Sequence, residues 1–435
     1  MIYGDKVVTN TLQSFSHKIS FFVMLVLYRI LLDFSYVNFV SEVFAYEGYI
    51  YSFSLSQYIF SLLIFSFSIF IIKDRISLPS HYFFLIAIIL VYTPLTSIYG
   101  LNENYGIEPV LVSFFSILFI RIILLKNIIK PFNFVHLKNS ESILFYLSVV
   151  SIFILIFWYI ISGAVKYFNL DISKVYDYRI VSSEIANVGF MSYFNGWVYK
   201  VFVVFLISYF LYLKKYLYVF LVILCQIFFF GVNAHKTVLF TPFIVLFIWF
   251  YFRKYNSALF VLLLLNFILL LCLYYYYFNN NIVLGSMFVR RAFILPAKLT
   301  FDYFDFFSQN PKIFWSNSIL SWLFDYPYND RVTKIVSGQQ DSNASANTGY
   351  IASGFYNFGV FGVAIYTFII SVLLRNIDYL YKSGIPLWFI LCLIVNPVQG
   401  FLLSSDLLTT LLTHGLLLAI ILLIFSRKIF LARTE

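Results

Sequence analysis

Two adjacent arginines, Arg290 and Arg291, open the stretch RRAFILPAKLTFDYFDFFSQNP, and Lys298 follows within it. Lys236 sits beside His235 in GVNAHKTVLFTP, and Arg179 lies in NLDISKVYDYRIVSSEIANVGF. Fixed cations of this kind suit a ligand that carries phosphates. Arginine meets phosphate oxygens in bidentate pairs, and lysine supplies a point charge. If a pyrophosphate leaves during a reaction, such cations stabilise the negative charge that grows on it. Further on, NTGYIASGFYNFGVFG spaces Gly349, Gly354, Gly359 and Gly362 along the entry to an apolar segment. Small residues at such positions permit close helix packing. Asn347 suits the cap of that helix, and a helix start can help hold phosphate.

Other chemistries lack their residues. The chain has no Walker A loop, no HExxH, no GxSxG elbow and no Asp-x-Asp pair. Its five histidines are scattered, and Cys225, Cys272 and Cys392 all fall inside apolar runs. Neither a metal site, a disulfide framework nor a cofactor is expected.

The elements that must position these cations are set by composition. Of 435 residues, 62% are hydrophobic and 11% are charged, against about 25% charged in a soluble domain. Apolar runs near the length of a bilayer crossing recur from end to end. Their continuity predicts helices and not a barrel. The expected fold is all-α: a single transmembrane domain over residues 1–435. Helices are expected near 19–40, 53–72, 81–99, 109–129, 142–162, 196–213, 216–232, 237–252, 257–278, 347–373, 384–400 and 405–426. The run from Ile19 lacks a small-residue cleavage site and is expected to stay as a helix.

The basic residues orient this set. Lys73, Arg75, Arg121, Lys126, Lys214 and Lys215 fall on one side, together with both termini. The short connections of the other side carry Glu42, Glu47, Glu103 and Glu108 and no Lys or Arg. Both termini are therefore expected to be cytoplasmic. Arg29 precedes Asp33 by four residues within the first helix, where the two can neutralise each other. Two outer loops are long, 163–195 and 279–346. The net charge of +10 is expressed outside chiefly in and beside them. Residues 293–307 read as amphipathic helix lying against the membrane face, ended by Asn310-Pro311.

RRAFILPAKLTFDYFDFFSQNP followed by NTGYIASGFYNFGVFG resembles the O-antigen polymerase (Wzy-type) family, and GVNAHKTVLF resembles that family's short basic outer turn. The resemblance implies a metal-independent, integral-membrane glycosyltransferase of the C type in a bacterial inner membrane, with 163–195 and 279–346 as periplasmic loops. Donor and acceptor would be undecaprenyl-pyrophosphate-linked oligosaccharides. Arg290 or Arg291, with Lys236, would hold the pyrophosphate, and Arg179, Lys298, Tyr303 and Asn347 would contact substrate. Membrane lipids and a chain-length regulator are the partners implied, and no nucleic acid. Gly189 follows Arg179 by one residue fewer than the Arg-to-Gly spacing that some members show. No histidine lies within 279–362, where the related ligases carry one, which favours a polymerase over a ligase. A flippase for lipid-linked glycans is the reading from a different class. It would be expected to place ionisable residues along its helices, facing a cavity.

Overall fold

The computed structural model describes residues 2–132, 139–171, 182, 184–338 and 346–431, with side chains from Ser16 to Phe430. Among the described residues there are helices and no strands, only two isolated bridges, Ser52 with Asn102 and Arg75 with Ser257. Among the described residues nine helices are long and apolar enough to cross a membrane: Ser16–Val43, Pro79–Leu101, Glu108–Leu125, Ser140–Ile161, Met191–Tyr212, Tyr216–Asn233, Leu259–Asn279, Tyr350–Lys382 and Leu407–Phe430. Three more apolar helices, Leu55–Phe70, Lys236–Phe252 and Leu387–Leu403, are shorter. Each of the twelve apolar runs therefore contains a helix. The physical reason is that an apolar run can satisfy its backbone only internally. A helix of seventeen residues such as Lys236–Phe252 rises about 26 Å, just short of the hydrocarbon thickness. The chain is a polytopic, all-helical membrane-embedded protein.

The chain divides into two compact units. The first comprises Met1–Ile129, Asn256–Ser371 and Leu402–Asp406; the second comprises Lys130–Tyr255, Val372–Phe401 and Leu407–Glu435.

In the first unit the N-terminal helix packs along Leu259–Asn279, with Phe39 edge-on to Tyr276 at 4.9 Å and Asn266 Nδ2 donating to Met24 O at 3.0 Å. Arg29 is buried at its centre. Its Nε donates to Asp33 Oδ1 at 2.8 Å, Nη1 to Thr96 Oγ1 at 2.9 Å and Nη2 to Ser61 Oγ at 3.1 Å. Tyr58 and Ser97 donate to the same carboxylate. A charge among apolar helices is tolerable only when it is paired and its donors are spent in this way. At the other end of that helix, His17 sits between Asp74 Oδ2 (3.0 Å) and Ser257 Oγ (2.8 Å). It ties the helix to two turns at once.

Within the second unit, Gln226 Nε2 bridges Tyr199 O and Val238 O at 3.0 Å each, joining three helices. Tyr159 donates to Asn195 Oδ1 at 2.6 Å, and Asn233 donates to Tyr159. One side of Ser140–Ile161 stays exposed at Phe153, Phe157, Ile160 and Ile161, as a lipid-facing surface requires.

Residues 285–309 of the first unit form two consecutive helices. Gly285–Ile294 is a π-helix running into the α-helix Leu295–Gln309. The apolar side of that helix is covered by the chain's own residues and not left to a membrane surface. Phe301 stacks on Tyr105 at 4.4 Å and Phe304 on Phe355 at 3.8 Å. The helix ends at Gln309, as Asn310-Pro311 predicts.

Tyr350–Lys382 is not one straight helix. Phe358 (φ −140°) and Gly359 (φ +65°) leave helical geometry. In a continuous helix Gly354 and Gly362 would be about 12 Å apart along the axis. Here a Cβ on Gly362 would lie 2.0 Å from Gly354 O, so the chain folds back on itself at the break. Ser116 binds both arms, reaching Tyr350 Oη at 3.0 Å and Thr367 Oγ1 at 2.6 Å.

Candidate functional site

The candidate site in the first unit is built around Gly285–Gln309. Neighbouring residues on a helix point to different sides, and the two arginines differ accordingly. Arg290 is buried, with 9% of its surface exposed, while Arg291 is exposed. Arg290 Nη1 donates to Glu47 Oε2, its Nε and Nη2 reach Ser286 Oγ at 3.4 and 3.3 Å, and its guanidinium lies 4.4 Å from the Phe44 ring centre. Phe44 and Glu47 belong to the short connection 41–51, whose acids stand out in the sequence.

The same connection turns at Gly48 (φ +83°), a conformation that favours glycine. The Lys298 stem packs there: a Cβ on Gly48 would lie 3.4 Å from Lys298 Cε. Lys298 Nζ donates to Asp302 Oδ2 at 2.8 Å, one helical turn on. Burial raises the Asp302 carboxyl above its ordinary value; Lys298 pulls it back and Asp305 adds to the rise. Next to this pair, the Tyr49 hydroxyl is buried and faces the Arg290 guanidinium without an aligned hydrogen bond. Burial raises its pKa, against the pull of Arg290. The Tyr105 phenol is raised too, first by burial and then by the charge of Asp302.

Tyr303 is fully buried and its hydroxyl donates to Ala346 O at 2.8 Å. It ties Leu295–Gln309 to the segment that leads into Tyr350. Asn347 is exposed in that segment, three residues ahead of the first helical residue, Tyr350. Arg290, Lys298 and Tyr303 thus share one continuous helical stretch. Lys236 belongs to the second unit, as the first residue of Lys236–Phe252, where it is half-buried. Ala234 (φ +54°) closes the preceding helix and makes that turn tight. Arg179 lies outside the described residues.

Sequence reasoning did not single out three groups near these residues. Lys312 donates to Phe307 O at the end of Leu295–Gln309 and lies 4.2 Å from the Phe355 ring centre. Its Cε is 3.7 Å from where a Gly359 Cβ would stand, at the helix break. Burial lowers the Lys312 pKa, and Glu108 opposes this. Tyr366 donates to Asp406 Oδ1 at 2.6 Å and accepts from Trp315 Nε1 at 2.7 Å. Asn357 joins this network, donating to Asp406 Oδ1 at 3.3 Å and accepting from Trp315 N at 2.8 Å. The only sequence signal for the network was a lone aspartate, Asp406, at an apolar helix start. The third group is Glu47 itself, whose partner is too far away in sequence to be read.

Chemically, the first unit offers Arg290, Arg291, Lys298 and Lys312 within or just after one helical stretch. Glu47 and Asp302 are bound to two of them. A phosphate arriving there must compete with these carboxylates. Among the described residues, no group of three His, Cys, Asp or Glu side chains is placed to hold a metal ion. No family model, curated protein or solved structure matches the chain.

Proposed function

We propose that the chain is an O-antigen polymerase, a metal-independent glycosyltransferase acting at the periplasmic face of a bacterial inner membrane. In this reading all twelve apolar helices cross the bilayer, the three shorter ones by local thinning or burial within the protein. Both termini are then cytoplasmic, and residues 163–195 and 279–346 are periplasmic.

One observation carries the reading. The two stretches that resemble the family, 290–311 and 347–362, are packed together: Phe304 stacks on Phe355, Tyr303 lies 5.4 Å from Tyr356, and Lys312 sits at the break beside Gly359. Residues that share one function should share one place, and these do.

The reaction follows from the chemistry. A hydroxyl at the non-reducing end of a lipid-linked repeat unit attacks the anomeric carbon of the growing glycan. The new glycosidic C–O bond forms as the bond to undecaprenyl pyrophosphate breaks, and the hydroxyl proton leaves to a base or water. Arg290 and Arg291 hold the departing pyrophosphate, where their charge is worth most as the bond breaks. Lys298 and the Asn347 segment bound the substrate, with Tyr303 anchoring that segment; Lys236 of the second unit and Arg179, outside the described residues, are candidates by resemblance alone. A regulator of chain length is the expected partner.

A transporter of lipid-linked glycan is the second reading, favoured by Lys200, in a helix, and His414, in the turn between Leu407–Leu411 and Leu416–Leu431, two ionisable residues that meet in the second unit. One experiment separates the two. A deletion strain is complemented with wild type, Arg290→Ala, Arg291→Ala or Lys236→Ala, and its lipopolysaccharide is run on a gel alongside a membrane blot. A polymerase predicts a ladder that collapses to core plus one repeat unit in the expressed variants. A deletion strain with no surface repeat unit would replace the polymerase reading by the transporter. A full ladder from every variant would remove these three residues from the site.

A further inference from the structure

Between Lys312 and Asp325 the sequence carries no charge: the twelve residues IFWSNSILSWLF include eight apolar ones. The stretch is too short and too rich in serine to cross a bilayer. Residues 314–323 fold as consecutive turns and not as a helix. Their apolar side chains are not gathered inside. Ile319, Trp322, Leu323 and Phe324 are exposed, Trp322 to 77%. Four large apolar side chains within six residues are a poor surface to offer to water.

The stretch is held in a fixed pose. Phe314 (φ +49°) and Trp315 (φ +63°) are consecutive bulky residues in the left-handed region, which such side chains rarely adopt. Hydrogen bonds to the break in Tyr350–Lys382 keep them there. Ile313 N donates to Tyr356 O at 3.1 Å, Phe314 N to Asn357 O at 3.2 Å and Trp315 N to Asn357 Oδ1 at 2.8 Å. Trp315 also stands edge-on to Phe358 at 4.8 Å. Further along, Ser316 N donates to Ile313 O at 2.9 Å, Ser321 N to Ser318 O at 3.1 Å and Leu323 N to Leu320 O at 2.9 Å. The stretch closes where Phe324 returns to Phe314, with ring centres 5.9 Å apart.

What covers the exposed side chains is indicated by their neighbours. Val360 and Phe361 follow the break directly and are exposed, Phe361 to 71%. Phe368 lies about two helical turns past Phe361 on the same face and is exposed as well. On a helix long and apolar enough to cross a membrane, such a face meets lipid. The uncharged stretch sits where that face begins, with the Phe314 ring 5.4 Å from Phe358. We propose that residues 313–324 form a wedge in the interfacial layer of the bilayer, and that its partner is the acyl chains of the phospholipid leaflet that Val360 and Phe361 enter. Turn backbone cannot lie bare in hydrocarbon, so the side chains reach the acyl chains while Asn317 and Asp325 stay at headgroup level. Tryptophan suits that depth. The wedge would hold Lys312 and the Trp315–Tyr366 contact at the bilayer surface. The proposal goes beyond the polymerase reading and stands or falls without it.

The test uses the full chain in nanodiscs of phosphatidylcholine brominated near the ester end or near the methyl end of its chains. Bromine quenches tryptophan on contact, and the emission of wild type minus that of Trp322→Phe isolates Trp322. Because Trp322 is exposed, Trp322→Phe should melt close to wild type. The wedge predicts that bromine near the ester end quenches the Trp322 emission more than bromine near the methyl end, and that aqueous iodide leaves it nearly untouched. Ile319→Trp in the Trp322→Phe background moves the reporter along the stretch and should give the same order. Quenching by iodide and by neither brominated lipid overturns the proposal and leaves the stretch to a soluble partner. Protection from all three quenchers overturns it in favour of a contact between copies of the chain. Stronger quenching from the methyl end overturns the interfacial depth.

Discussion

Arg290 donates to the carboxylate of Glu47, 243 positions away in sequence, and covers the Phe44 ring in the same connection. The contact fixes the helical stretch 285–309 to the connection after the N-terminal helix. Glu47→Ala removes the acid and leaves a buried guanidinium with Ser286 as its remaining side-chain acceptor. An orphaned charged donor of this kind costs about 1–3 kcal/mol. Melting of detergent-purified protein should show that loss in Glu47→Ala, and a smaller one in Arg290→Ala/Glu47→Ala measured against Arg290→Ala. Additive losses would mean that the two residues do not depend on each other.

The Arg29–Asp33 pair is a different case, because both groups are buried and saturated. Arg29→Met strands a carboxylate that only Ser97 and Tyr58 still face. Removing one partner of a buried pair typically costs about 3–5 kcal/mol, whereas replacing both by apolar residues is often tolerated. Arg29→Met should therefore express poorly and melt early, and Arg29→Met/Asp33→Leu should recover part of the loss. If the double variant is worse than the single one, the pair is not a self-contained lock.

What the sequence disclosed and what it hid divide along a physical line. Hydropathy runs are local, so a helix lies in each of the twelve segments. The Arg29–Asp33 pair is local too, at one helical turn. Asn310-Pro311 ended its helix because proline restricts the residue before it. By contrast, Arg290 with Glu47, Lys200 with His414, and Trp315 with Tyr366 and Asp406 join residues whose spacing carries no period. The burial of Arg290 beside an exposed Arg291 could not be read, because it is set by Glu47 and Phe44, far away in sequence. The glycine spacing of 349–362 announced close packing. It did not announce that the packing would be of one helix folded back on itself.

The Asp302 carboxyl gives a pH test. Its native pKa lies above the ordinary 3.8 because burial outweighs the attraction of Lys298. The native state then binds the proton more tightly than the unfolded chain, so stability from this group is present below pH 3.8 and is lost as pH rises through the native pKa. Asp302→Asn cannot ionise. The melting temperature of wild type minus that of Asp302→Asn should fall as pH is raised from just below 4 toward neutrality. Linkage counts only the net shift, so the pull of Lys298 is already included. A difference that rises with pH over the same range would mean that Lys298 outweighs burial.

The fold-back at Phe358–Gly359 makes the last prediction. Gly362→Ala would press its methyl to 2.0 Å from Gly354 O, and Gly349→Ala to 2.0 Å from Leu402 O. Both neighbours are backbone and cannot swing aside, so the helix arms must separate. Overpacking of this kind costs about 1–3 kcal/mol or more. Gly359→Ala is strained for a second reason, its positive φ. Gly106→Ala meets nothing within 4 Å and serves as the control. Melting should rank Gly106→Ala near wild type and the other three below it. On the proposed polymerase reading, and if the break also holds Lys312 beside Leu295–Gln309, Gly359→Ala should shorten the glycan ladder at a temperature where the variant is still folded. A full ladder from folded Gly359→Ala would make the break a matter of packing alone.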